Sequence, residues 1–325
     1  VEAVYSVRVL VLGSTGFAGR WVAEKLRLLR PEASIDGASL CLGTDLRDRT
    51  QTLRLFDKVR PEHVINCAAY VGGIQYGYIH PAEIFSNNTL MILNVLEASV
   101  RSGVRRLVQP ISNCAYPEKE SLFREENFWD GPLHDSVMVY GMTRKMMCTG
   151  AWAYARQHGL DTVSLVLSNM YGPGDHFDEV RSHALGALVK KIVDARAEGK
   201  GQVTVWGTGR PVREWLYVAD GAEAMVRALE IAPHGDIINV GTGRGISVKD
   251  LALLIKEIAG WEGEFLFDAS KPDGAPHKTV DGSKGRKLLG WGPGTALRQG
   301  IENTIRHYAA RRGNDRLPAQ YDAHY

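Results

Sequence analysis

The chain has only four cysteines in 325 residues, Cys41, Cys67, Cys114 and Cys148, and none stands in a CxxC pair. Their scarcity and scatter exclude a zinc-ribbon or disulfide framework and read as free thiols of a reducing, cytoplasmic compartment. No window approaches the roughly 18 apolar residues of a membrane span, and no signal peptide opens the chain, so no membrane role is expected. One-sided charge is missing too. Lys plus Arg number 39 against 37 Asp plus Glu, a net +2, which offers nucleic acid or an anionic lipid surface no purchase. No metal-ligand spacing, internal repeat or low-complexity tract is present, and no metal is expected. What remains is 44% hydrophobic and 23% charged, a composition that argues against disorder. The length suits two modest domains or one large α/β unit.

What is present is alternation. "VRVLVLG" (Val7–Gly13) is a buried-strand run, followed by a helical pattern with Val22, Leu26 and Leu29 in phase. Further strands are expected at His63–Ala69, Arg105–Ser112 and Thr162–Asn169. Between them lie a helix over Ser86–Gly103 and another carrying Tyr140. Such alternation predicts an α/β chain with a Rossmann-type, doubly wound parallel sheet. After Asn169 the texture changes to short glycine-punctuated pieces, with a helix near Ala184–Ala197. "INVGTG" (Ile238–Gly243) reads as one more strand of the first sheet. "SVKDLALLIKEIAG" reads as a helix capped by Ser247 and stopped by Gly260. The expected organisation is a dinucleotide-binding domain of residues 1–169 and 214–243. A smaller, discontinuous substrate domain would comprise 170–213 and 244–325.

"GSTGFAG" places Gly13, Gly16 and Gly19 between the first strand and first helix. In that context the glycines permit a tight turn and bring a pyrophosphate to the helix N-terminus. Asp36 lies 17 residues past Gly19. Either it meets the adenosine ribose, favouring NAD over NADP, or it begins a turn with Gly37. Asp45 is expected to end the next strand and reach the adenine, while Arg47 and Arg49 keep NADP open.

With these elements placed, further motifs align: "AAYVGGI" (Ala68–Ile74), "SNCAYP" (Ser112–Pro117), Tyr140, "NMYGPGDHF" (Asn169–Phe177), "VWGTGRPVREWLYVAD" (Val205–Asp220), "INVGTG" and "FDASKPDGAPHK" (Phe267–Lys278). Over essentially its whole length the chain resembles the extended short-chain dehydrogenase/reductase family of nucleotide-sugar enzymes. Within it, the chain is most similar to the GDP-L-fucose synthase branch, 3,5-epimerase/4-reductases of GDP-4-keto-6-deoxymannose. The resemblance implies NAD(P) as cofactor, a GDP-sugar substrate and a homodimer built on paired helices. It implies that Ser112 holds the sugar's C4 oxygen while Tyr140 donates a proton as hydride arrives. It makes Cys114 the base and His183 the acid of the epimerisation. Thr15, Phe17, Leu46, Ala68, Ala69 and Asn169 join the cofactor site, together with Tyr140 and Arg144. Lys191, Trp206, Arg213 and Lys271 join the substrate site. The chemistry is coherent, because a phenol near pKa 10 needs a neighbouring cation to shuttle protons and a thiol suits abstraction beside a ketone.

One position departs. In "VYGMTRKMM" the residue four after Tyr140 is Arg144, where the family has lysine, and Lys145 follows one step later. At about 100° per residue, Lys145 lies roughly 40° further round the helix than the i+4 position. Arginine keeps its charge but presents it as a bulkier plane. One reading is an epimerase/reductase with a tolerated cation. The alternatives are a nucleotide-sugar epimerase without net reduction, similar to GDP-mannose 3,5-epimerases or acting on a variant sugar, and a non-catalytic NAD(P) sensor.

Overall fold

A computed structural model describes residues 6–178, 182–230 and 235–312; the last expected residues of the substrate domain, 313–325, lie outside them. The N-terminal half runs β1 (Arg8–Leu12), α1 (Phe17–Leu29), β2 (Ser34–Ala38), α2 (Arg49–Val59), β3 (His63–Asn66), α3 (Ile74–Ile79), α4 (Pro81–Arg101), β4 (Arg106–Ser112), α5 (Met138–His158) and β5 (Asp161–Leu167). The remainder runs β6 (Asn169–Tyr171), α6 (Ala184–Ala197), β7 (Gln202–Trp206), β8 (Val212–Tyr217), α7 (Val218–Arg227), β9 (Ile237–Val240), β10 (Gly245–Ser247), α8 (Val248–Ala259), β11 (Glu264–Asp268), β12 (His277–Lys278), α9 (Ser283–Leu289) and α10 (Leu297–Arg312).

Six strands form the main sheet in the order β2-β1-β3-β4-β5-β9, every neighbouring pair parallel. The strands are apolar because both sheet faces are covered. One face packs Leu10, Leu12, Val64, Leu107 and Val166 with Phe56, Leu96 and Met147 of the helices. The other packs Val9, Val11, Ile65, Val163 and Leu165 with Val22 and Leu26 of α1 and Met225 of α7. Leu29, in phase with Val22 and Leu26 by sequence, comes out exposed at the end of α1. "INVGTG" does supply the sixth strand, β9 beside β5. Ser247 does cap α8, its hydroxyl accepting from Asp250 N–H, and Gly260 closes it in a left-handed conformation.

Beyond the sheet, β8 pairs with β6, β10 and β12, and β11 pairs with β7. The sequence-based boundary at 214 falls inside β8, which lies in the second sheet; the chain rejoins the first unit with α7, packed on α1. Fully buried Glu214 welds the two units. Its carboxylate accepts the backbone N–H groups of Thr242 and Gly243, just past β9, and of Val280, just past β12.

Candidate active site

At the C-terminal ends of the parallel strands, two connected hollows open. The larger, about 810 Å³, reaches from the glycine loop to the second sheet. The smaller, about 270 Å³, lies between the ends of β1 and β2 and shares Gly13, Ala68 and Ala69 with it. Ligands of open α/β sheets bind in this position.

The glycine loop has the form a dinucleotide requires. Gly13 has φ +70°, and a Cβ on it would stand 2.8 Å from Ala68 N. A Cβ on Gly19 would stand 2.1 Å from the Gly13 carbonyl, so only glycine lets α1 start this close to the turn. Gly16 ends the loop without a side-chain cap, and no acid stands in the first turn of α1. The first N–H groups of α1 therefore point unmatched toward the hollow lined by Gly16, Phe17 and Ala18, an anion site in itself. Thr15 is fixed by its hydroxyl, which donates to Ser39 Oγ at 2.9 Å. These residues fit a pyrophosphate.

The ribose end corrects the sequence reading. Asp36 neither ends β2 nor starts a turn. It pairs with Leu10 in mid-strand and lines neither hollow. The strand runs on to Ala38, whose carbonyl receives Gly13 N–H and Ser14 N–H, and the residue at its end is the buried Ser39. Asp45 does line the smaller hollow with Leu46, but from a loop; no strand lies between β2 and α2. Its carboxylate takes a two-pronged ion pair from Arg47, Nε to Oδ1 at 2.8 Å and Nη2 to Oδ2 at 2.7 Å. That hydrogen bonding holds it below the usual carboxylate range even against partial burial. Arg47 lines the hollow, whereas Arg49 is engaged by Glu97 on α4.

The larger hollow gathers the reactive groups. Ser112 and Cys114 stand at the end of β4, where the Ser112 hydroxyl accepts Cys114 N–H at 3.2 Å. Tyr140 comes from the first turn of α5, and His183 immediately precedes α6. All four line the hollow, together with Asn169, whose side chain donates to the Glu214 carbonyl at 3.0 Å.

Sequence reasoning missed Lys278. It arrives on the two-residue β12, beside Arg213 of β8, and its Nζ lies 3.2 Å from Cys114 Sγ. Burial alone raises the Cys114 thiol, but the Lys278 charge, a Ser112 hydrogen bond and Arg213 together outweigh it and leave the thiol below its ordinary value. Burial alone pushes Cys67 up to about 12, and it pushes Cys148 up to about 11 even against a Ser164 hydrogen bond and the charges of Arg144 and Lys145. His183 opens onto the cleft, yet the surrounding walls, then Lys278 and His176, hold its imidazole below its ordinary value.

The cation beneath Tyr140 is Arg144. It is 2% exposed, with its guanidinium carbon 4.8 Å from the Tyr140 ring centroid. Its Nη2 donates to Oδ1 of fully buried Asn88 on α4. Asn88 is itself oriented by donating to the Tyr70 and Ile84 carbonyls, both at 2.7 Å. Lys145 points elsewhere, 5.3 Å from the centroids of both Phe128 and Trp129. Burial still leaves the Tyr140 phenol above its ordinary value, with Arg144 pulling the other way.

At the outer end, Trp206 is 45% exposed between two ammonium groups, Lys191 at 5.6 Å and Lys271 at 5.4 Å. Deeper in, Arg213 donates to the Val212 and Asp273 carbonyls, and desolvation lowers it to about 10. An aromatic plate flanked by cations suits a base or sugar carrying phosphate.

Glycine loop, parallel sheet and converging Ser, Tyr and Cys define an enzyme of the Rossmann-type, dinucleotide-dependent class. More narrowly, the chain belongs to the NAD dependent epimerase/dehydratase family, whose profile matches residues 9–241. It is 34% identical over 307 residues to a probable GDP-L-fucose synthase 1 of Oryza sativa subsp. japonica, covering 93% of this chain and 92% of that one. Among solved structures it is similar to a C. jejuni GDP-6-OMe-4-keto-L-xylo-heptose reductase, with TM-score 0.87, 25% identity and 94% and 98% of the two chains covered. A Naegleria fowleri GDP-L-fucose synthetase bound to NADP superposes with TM-score 0.83 at 27% identity, covering 98% and 97%.

Proposed function

We propose that the chain is a GDP-sugar epimerase/reductase, inverting C3 and C5 beside the C4 ketone of a GDP-linked 4-keto sugar and then reducing that ketone with NADPH. The observation that carries the reading is the convergence of Ser112, Cys114, Tyr140 and His183 in one hollow continuous with the glycine loop. The nucleotide-sugar names of the rice and solved-structure relatives point the same way.

The chemistry follows from the residues. The ketone acidifies the hydrogens on C3 and C5. Cys114, made a better base by Lys278, removes one of these protons, and His183 returns one to the opposite face. His183 must first gain that proton, which the entering anionic diphosphate favours by offsetting the Lys278 charge. When bound, the nicotinamide supplies hydride to C4. Ser112 would hold the C4 oxygen and Tyr140 would give it a proton, so that ketone plus hydride plus proton becomes alcohol. Gly13, Gly16, Phe17, Ala68 and Ala69 would hold its phosphates and nicotinamide half. Ser39, Leu46 and Arg47 would hold the adenosine half. We assign NADPH over NADH because, among the described residues, no unpaired carboxylate lines the ribose end: Asp36 lies outside it and Asp45 is ion-paired with Arg47.

A second reading, epimerisation with little net reduction, draws on one observation, the Tyr140 phenol that burial keeps high despite Arg144. Incubation with GDP-4-keto-6-deoxymannose in D2O, with and without NADPH, separates the two. Deuterium at C3 and C5 together with NADPH oxidation supports the full reaction. Deuterium without oxidation supports the second reading, and neither signal overturns both.

We also infer a cytoplasmic homodimer. No helix among the described residues is long and apolar enough to cross a membrane, and all four cysteines are free. Helices α4 and α5, packed side by side, leave Phe85, Leu90, Leu93, Met142, Met146 and Trp152 exposed, an apolar area suited to a second copy.

A further inference from the structure

Gly77 has no backbone reason to be glycine. It is the fourth residue of α3, a helix-interior position where glycine forfeits entropy relative to alanine. It is not among the glycines with positive φ. A Cβ built on it would meet a single atom within 4 Å, the Ser136 carbonyl oxygen at 3.9 Å, which is ordinary contact. Nearby glycines differ: a Cβ on Gly72 would run into the Tyr76 ring at 2.6 Å, and Gly274 has φ +72°. Gly77 lines the larger hollow, so the missing side chain leaves room for a ligand and not for the protein.

The surroundings place that room in the sugar subsite. Ser136 belongs to the turn Asp135–Val137 that leads straight into α5 and Tyr140. Ile74 Cδ1, Arg213 Nη2 and Ser136 Oγ lie 3.0, 3.5 and 3.8 Å from a Cβ built on Gly274, so α3, this turn and Arg213 close one corner of the hollow. Arg213 acts electrostatically on the Cys114 thiol, which ties the corner to the reacting carbons and not to the glycine loop. Its rim is polar. The Tyr78 hydroxyl bonds to the Asp135 carboxylate there, and the Ser136 carbonyl oxygen lies beside Gly77. In a pyranose, C1 and C5 flank the ring oxygen. A GDP-sugar whose C1 diphosphate met Arg213 and whose C4 oxygen was held at Ser112 and Tyr140 would send its C5 branch into this corner.

From this geometry we propose that Gly77 is a specificity-determining residue. The corner between α3 and the Asp135–Val137 turn receives a long, hydroxyl-bearing C5 branch, so the preferred substrate is a chain-extended 4-keto sugar and not a 6-deoxyhexose. The proposal rests on the GDP-4-keto-sugar reading above.

The test compares kcat/KM for NADPH oxidation with two probes, GDP-4-keto-6-deoxymannose and a GDP-4-keto-heptose bearing a dihydroxyethyl group at C5. The unaltered protein is expected to prefer the heptose at least tenfold. Gly77→Leu, which fills the corner, is expected to lower the heptose-to-deoxyhexose ratio at least tenfold, with NADPH affinity as the folding control. A wild-type preference for the deoxyhexose, or a Gly77→Leu variant with an unchanged ratio, overturns the proposal while leaving the GDP-sugar reading intact. No turnover of either sugar by the unaltered protein overturns both.

Discussion

Two cations sit in one cleft and are held in opposite ways. Lys278 touches its acid directly, Nζ on Cys114 Sγ at 3.2 Å, and, helped by a Ser112 hydrogen bond and the Arg213 charge, carries the thiol below its ordinary value despite burial. Arg144 lies under the face of Tyr140, is bonded to a neutral amide, and fails to offset the phenol's burial. Charge near an acid is therefore not enough. A point charge in contact with the ionising atom gains more than a delocalised plane spread beneath a ring. Binding Arg144 to Asn88 instead of a carboxylate nevertheless keeps its charge unneutralised for the tyrosine and the cofactor.

This contrast assigns each cation to one half of the chemistry, and substitutions can break the assignment. The largest effect is expected from Cys114→Ser. A hydroxyl is a far weaker base than a thiolate, so deuterium uptake at C3 and C5 should fall by about 10³-fold or more, read by NMR, while NADPH affinity holds. Next is Arg144→Met. Hydride transfer to a pre-epimerised keto sugar should fall about 10²-fold in single turnover, a typical contribution for a group that tunes a proton donor. Thermal stability should fall too, because Asn88 Oδ1 loses a charged partner in the core, at a cost of about 1–3 kcal/mol.

Lys278→Met comes third. A base works deprotonated, so exchange rises with pH through the thiol's pKa. Removing the cation raises that pKa and moves the rising limb to higher pH. A shift of about one unit means about tenfold slower exchange at pH 7, and a pH–rate profile reads it directly. The smallest effect belongs to Arg144→Lys, expected to slow reduction about two- to fivefold, because lysine keeps the charge but loses the planar fork that Asn88 accepts. Faster reduction would mean that the arginine is a tolerated substitute and not a built part of the site.

Much of this was legible in sequence where the signal is local. The glycine loop, the alternating elements and the Ser247 and Gly260 caps depend on neighbours within a few residues, and "VYGMTRKMM" already placed Lys145 off the tyrosine's face. What failed was position along a strand and approach across the chain. Asp36 has a plausible distance from Gly19, but β2 continues two residues beyond it because Ala38 receives the N–H groups of the glycine turn. The neutralisation of Asp45 depends on a loop where the sequence reading places a strand end. Lys278 sits 164 residues from Cys114, on a strand too short to carry a pattern. Asn88 reads as an unremarkable polar residue in a helix until α4 and α5 are packed together.

In the proposed reaction the two halves draw on separate cations. The most direct measurement follows C3/C5 deuterium uptake and single-turnover reduction of a pre-epimerised keto sugar in both Lys278→Met and Arg144→Met. A crossed pattern is expected, with uptake lost mainly in the first variant and reduction mainly in the second. A parallel fall of both activities in either variant would contradict it.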